Sequence, residues 1–388
     1  VDAALADGTT DNLRRGVTLL VDGRTIAGLW YDGEGPDPAS VDAVVVDGSG
    51  ATIIPALVDS HAHLSLPGGA RWIERGFDAT ADLLAVGDEN GDLLVAAGIR
   101  WARDVGAPRR PGRRGGERAL NLTLRDRWLG SHDRPYVRAA GTWITRAGSL
   151  PPGLAIELKH GADLVAAVEQ QLDDGADLVK LYLDGPDVDT APFSPDEVRA
   201  AVRCAHRRGA TVAAHASQLA GARVAAAAGV DSVEHGFTLD ADVAAELAQR
   251  GVTLVSTLAV LRSWESFRTT TNGDRFASPA GVAEIAERRE RAEESVRLAD
   301  RAGVAIAAGS DFGGGSLRAN QLAWEVEALV GAGIAPRTAL AAATWRGGQL
   351  FGDPDAGRLR VGGPAHFSLV HGDPLSDPSA LWRIWLTR

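Results

Sequence analysis

Apolar residues recur in short runs along most of this chain, and alanine-rich stretches with helical spacing fill the intervals. From about residue 51 the runs are TIIPALVDSHAH, GIRWARDVG, YVRAAGTWI, DLVKLYLDG, TVAAHAS, DSVEHG, VTLVSTL and VAIAAGSDFG. Such runs, apolar on both faces and alternating with amphipathic segments, predict an α/β protein with parallel strands, here a (β/α)8 TIM barrel. The intervening helices carry ordinary start signals. In SPDEVRAAVRCAHRRG, the Ser194-Pro195-Asp196-Glu197 opening is a good N-terminal cap with Pro195 at the first helical position. The polar, turn-rich stretch from Leu261 to Gly281 predicts an active-site loop after the seventh strand.

The two ends differ from the middle. VTLLVDG, TIAGLWYDG and VDAVVVDGSG in residues 1–50 predict short β segments, and so do GRLRVGGPAHFSLVHGDPL and ALWRIWLTR near the C-terminus. We expect residues 1–55 and 358–388 to form one composite β-sandwich domain beside a barrel spanning 56–357. That pairing is not visible in the periodicity itself.

Composition narrows the partners. A net charge of −11 over 388 residues argues against nucleic acid and against an anionic membrane surface. No apolar run is long enough to span a bilayer. A small-molecule substrate and a cytoplasmic location are expected, with homo-oligomer formation left open. The chain begins at Val1 and has no methionine, so its initiator residue is expected upstream; no secretory signal is visible. The single cysteine, Cys204, reads as a small helix residue.

The candidate chemistry sits at strand ends. His61 and His63 end the first run, Lys180 lies in the fourth, and His215, His235 and Asp311 end the fifth, sixth and eighth. In a barrel, catalytic groups gather where the strands end. His61 and His63 are two residues apart on an extended segment, so both rings face the same way. Lys180 is one of only two lysines, with Lys159, among 40 basic residues. A lysine kept inside a strand of an arginine-built chain suggests chemistry closed to a guanidinium, because an amine can become neutral and reactive. Imidazoles and carboxylate oxygens in this order read as metal ligands. His132, His160, His206, His366 and His371 lie off the strand ends and are set aside; Glu234 and Asp104 also end strands, and a structural salt bridge accounts for each equally well.

PALVDSHAHL, AAGIRWARDVGAP, GADLVKLYLDG, FSPDEVRAAVRCAHRRGATVAAHA, AAAGVDSVEHG and GRLRVGGPAHFSLVHGDPLSD together resemble the amidohydrolase superfamily, nearest its imidazolonepropionase-like and prolidase-like branch. The resemblance implies two divalent metal ions, zinc first among them. His61, His63 and Asp311 would bind one, His215 and His235 the other, with a carboxylated Lys180 bridging. It implies hydrolysis of a C–N amide bond by a metal-bridging hydroxide, with Asp311 carrying the proton. An N-acyl amino acid, a dipeptide or a cyclic amide would be the substrate.

Two alternatives remain. Ester, lactone or carbamate cleavage would use the same site. A one-metal ring deaminase would need a glutamate where this chain has Gln218. The loops depart from the family: Thr145–Pro152 lacks the histidine of related dipeptidases, and Tyr182–Pro186 lacks their Gly-rich character. Arg146, Tyr182 and Arg262 are the expected substrate contacts.

Overall fold

The computed structural model describes residues 1–111, 116–185 and 187–388; Pro186 of the loop after the fourth strand lies outside them. The parallel strands are β1 (Leu57–Ala62), β2 (Ile99–Asp104), β3 (Tyr136–Ala139), β4 (Leu178–Tyr182), β5 (Thr211–Ala216), β6 (Ser232–His235), β7 (Thr253–Ser256) and β8 (Ile306–Ala308). Parallel ladders join β1 to β2 to β3, and β4 through β8 in sequence order. Two further contacts close the ring. Asp177 N–H donates to Ala139 O at 2.9 Å between β3 and β4. Asp311 N–H donates to His61 O at 2.8 Å, beside a parallel bridge between Ala62 and Phe312, and so seals β8 against β1. This is the α/β barrel that the alternating runs predict.

β1 is buried along its whole length, as strands covered on both faces must be. The helix Pro195–Arg207 shows how the covering layer is specified. Ser194 and Glu197 form the reciprocal capping box, and Val198, Ala201, Val202 and Ala205 supply its buried stripe.

The run TIIPALVDSHAH does not form one strand. Ala51–Pro55 belongs to a separate six-stranded sheet, and the chain turns into β1 after Ala56. In that sheet Ala51–Pro55 lies between Ala3–Leu5, parallel to it, and Phe367–His371, antiparallel to it. Strands from both ends of the chain therefore share one ladder. Val17, Ile26, Ile53, Phe367 and Leu369 lie in its own small apolar core.

Two segments differ from expectation. VDAVVVDGSG forms no strand: it finds no partner ladder, and Val44 is 94% exposed. The stretch after β7 is mostly helical, with Leu258–Phe267 and Asp274–Ala277 leading into the long helix Pro279–Ala302. Its polar residues cover the outside of these helices, while Leu261, Trp264 and Phe276 are buried. No helix among the described residues is long and apolar enough to cross a membrane.

Candidate metal centre

Three imidazoles at the barrel mouth are held by their Nδ1 atoms. His61 Nδ1 lies 2.7 Å from Glu234 Oε2, His63 Nδ1 2.7 Å from the Gly106 carbonyl, and His235 Nδ1 2.8 Å from Thr257 Oγ1. A carbonyl oxygen can only accept, so His63 donates from Nδ1 and keeps an acceptor lone pair at Nε2; the carboxylate of Glu234 does the same for His61. The freed Nε2 atoms of His61 and His63 stand 3.4 Å and 3.2 Å from Asp311 Oδ1. His61, His235 and Asp311 each place one donor atom within 4.8 Å of the others, an arrangement that could hold a metal ion.

Burial drives His61 and His235 well below the ordinary histidine range, and neighbouring basic groups add to the effect. Both rings are therefore neutral near pH 7, the form in which imidazole ligates metal. His235 and Asp311 also share a backbone feature. Their φ angles are 73° and 51°, in the left-handed region that side chains rarely adopt. Strain of this kind persists where the surrounding structure enforces it, and here it turns both side chains inward at strand ends.

Lys180 is 1% exposed, and its Nζ has no hydrogen-bond partner among the described residues. Burial pulls its amine down to about 8. An unpartnered amine in this position is costly unless a further group engages it. The donor set, neutral imidazoles with a carboxylate and a solvent-shielded amine, fits a divalent metal centre on its chemistry.

His215 is arranged differently. Its Nε2 faces Asp184 Oδ2 at 3.0 Å, and Tyr182 stacks on its ring at 3.9 Å between centroids. It remains beside His235, with ring centroids 4.5 Å apart, but lies outside the tight three-residue group. Asp184 is further anchored by Ser217 N–H at 2.8 Å and Gln218 N–H at 3.1 Å. Nothing in the sequence marked Asp184 beyond its place four residues after Lys180.

The six expected ligands line one cavity of about 440 Å³, together with Tyr182. Arg146 and Arg262 are not among its lining residues. Arg262 points from its helix toward Glu293, at 3.7 Å. The wall instead includes Trp72, Trp143, Trp264, Arg275 and Arg288. The Trp residues carry no motif, and both arginines lie on or beyond the segment read as a loop. Glu234, read as a salt-bridge residue, pairs with Arg103 at 3.2 Å and orients His61 as well. Asp104 forms no ion pair among the described residues; it accepts from Leu64 N–H, Gly106 N–H and the Asn121 side chain.

Residues 52–384, most of the chain, match the amidohydrolase family. The chain belongs to that family. As an amidohydrolase it is a hydrolase acting on carbon–nitrogen bonds. This amidohydrolase is 29% identical over 338 residues to an uncharacterized protein of Mycobacterium tuberculosis, covering 82% of this chain and 83% of the other. It is 30% identical over 235 residues to ochratoxinase of Aspergillus niger, covering 56% of this chain and 47% of the relative. Among solved structures, a Xaa-Pro dipeptidase with bound methionine superposes with a TM-score of 0.83 at 23% identity, covering 100% of this chain and 96% of that one. That likeness is one of fold.

Proposed function

We propose that this chain is a binuclear metal-dependent amidohydrolase that cleaves the amide bond of a small molecule, such as an N-acyl amino acid, a dipeptide or a cyclic amide. The observation that carries the reading is the convergence of His61 and His63 Nε2 on Asp311, beside a buried Lys180 amine without a partner. His61, His63 and Asp311 would hold one divalent ion, zinc first among candidates. His215 and His235 would hold the second, and Lys180, carboxylated by carbon dioxide, would bridge the pair. When bound, such a pair lowers the pKa of water and polarises a carbonyl oxygen.

The chain's own groups supply the rest. Asp311 accepts the proton of the attacking water as oxygen adds to the amide carbon. It then delivers that proton to the nitrogen as the C–N bond breaks. Glu234 and the Gly106 carbonyl keep His61 and His63 in the ligating orientation. Trp143, 5.3 Å from the His63 ring, and Tyr182 against His215 wall the reacting end from bulk water. The names ochratoxinase and Xaa-Pro dipeptidase, belonging to a relative and a fold neighbour, are in keeping with an amide substrate.

The test is metal content by inductively coupled plasma mass spectrometry, on protein purified without chelators and with bicarbonate present. About two ions per chain, falling in Lys180→Ala, are expected. One ion per chain in the unaltered protein, or full amide hydrolysis by Lys180→Ala or Asp311→Asn, would overturn the reading.

A further inference from the structure

Arginines on the long helix Pro279–Ala302 mostly have assigned partners. Arg289 pairs with Glu265 and Glu293, Arg291 with Glu287, and Arg297 and Arg301 with Glu294. Arg288 is the exception: among the described residues no carboxylate pairs with it, and it lines the cavity instead. Arg275, on the short helix just before, lines the cavity too and is likewise unpaired. Glu74 and Glu284 act on it only through space, and Arg288 pushes against it as a like charge.

Both guanidiniums rest on the same indole. The Arg275 carbon lies 4.6 Å and the Arg288 carbon 5.7 Å from the Trp264 ring centre. Arg275 also covers Trp72 at 4.9 Å, and Trp72 and Trp264 stack at 5.8 Å with 17° between their planes. A guanidinium laid on an aromatic face is oriented by it while its N–H edge stays available, and that edge matches a carboxylate in bidentate fashion. Two like charges held together with no carboxylate in ion-pair contact among the described residues repel each other, and a bound anion relieves that repulsion.

We propose that Arg275 and Arg288, backed by Trp72 and Trp264, form a carboxylate subsite at the mouth of this cavity. The enzyme then selects amides whose carboxylate is carried on an aromatic or branched apolar group. The carboxylate meets the two arginines and the apolar group packs on the indoles, while the scissile amide reaches the histidine cluster at the other end. This deepens the hydrolase reading and rests on it for the amide, but not for the anion. Asp184 and Asp187 line the same cavity, but among the described residues neither forms an ion pair with Arg275 or Arg288, and Asp184 faces His215.

The test is isothermal titration calorimetry of the metal-loaded enzyme with phenylacetate and its neutral counterpart phenylethanol. The unaltered protein is expected to bind the acid at least about tenfold more tightly. In Arg275→Gln/Arg288→Gln, which keeps part of each apolar stem, that preference is expected to disappear. If the double variant melts early, Arg275→Gln alone, at an exposed position, should reduce the preference severalfold. An absent preference in the unaltered protein, or one that survives both variants, overturns the subsite. Survival would place the anion on the metal end. Acid preference without hydrolysis of any amide would leave the subsite standing and remove the hydrolase reading, so the two failures are distinguishable.

Discussion

Glu234 holds His61 and Arg103 with the two oxygens of one buried carboxylate, Oε2 at 2.7 Å from His61 Nδ1 and Oε1 at 3.2 Å from Arg103 Nη1. Burial works to raise its pKa, but Arg103 and then Lys180 outweigh it and keep the carboxyl below its ordinary range. Glu234→Gln preserves shape and loses the anion. Metal affinity in this variant, read by competition with a chelating dye, is expected to fall about 10–100-fold. Glu234→Ala leaves buried Arg103 charged without its carboxylate partner, held among the described residues only by the Ser60 carbonyl and the Ser232 hydroxyl, at a cost of about 3–5 kcal/mol in denaturant unfolding. Unchanged affinity in Glu234→Gln would show that His61 needs no such anchor.

Gly314 packs against the Nε2 edge of His63. A Cβ there would meet His63 Nε2 at 2.6 Å, and Cδ2 more closely still. Gly314→Ala must therefore displace the ring from Asp311. Misplacement on the order of an ångström costs about 100-fold in rate. The variant should keep its circular dichroism spectrum and lose turnover to about that extent. Normal turnover would mean that the ring position is not critical.

Glu325 ties the helix Leu322–Gly331 to the end of β7, accepting from Ser256 Oγ and from Ala259 N–H at 2.7 Å. Burial pushes its carboxyl from 4.5 up to about 7. Below pH 4.5 both the native and unfolded states hold this proton, and the native advantage is complete. As pH rises toward about 7, the unfolded chain has released the proton while the native protein still retains it, so this contribution to stability falls and then levels off. The loss is about 3 kcal/mol. Melting curves between these pH limits should show a downward slope that Glu325→Gln flattens. A variant that melts with the same pH dependence as the parent would contradict the assignment.

Stripping metal with a chelator should lower the melting temperature. Ligand that binds only the native state stabilises it by mass action, by about 4 kcal/mol at a thousandfold excess over Kd. Restoring zinc should return the transition, and His61→Ala should shrink the response to both treatments. A melting temperature indifferent to chelator in the parent protein would argue against a metal in this cluster.

The barrel was legible because each parallel strand is a compact apolar run, and its end is where the candidate polar side chains concentrate. His61, His63, Lys180, His215, His235 and Asp311 could be grouped on that ground, and the cavity brings them together. Local pattern failed where long-range pairing decides. The valines of VDAVVVDGSG suit a strand but meet no ladder, whereas Ala51–Pro55 leaves its own run to join strands from both ends of the chain. Cavity-lining residues outside the strand ends were hardest to read. Arg275 and Arg288 look like any solvated arginine until helix packing shows which of their neighbours are paired and which are not. Arg262 faces Glu293 for the same reason, its helix having rotated it away from the cavity.

The scarcity of lysine has a practical side. Lys159 is exposed and Lys180 is enclosed, so acylating reagents applied to the folded protein should modify one side-chain amine and leave the other untouched. The molecule can therefore carry a fluorophore or a surface tether at a single lysine. Labelling that spreads to Lys180 would then report on access to the cavity that this residue lines.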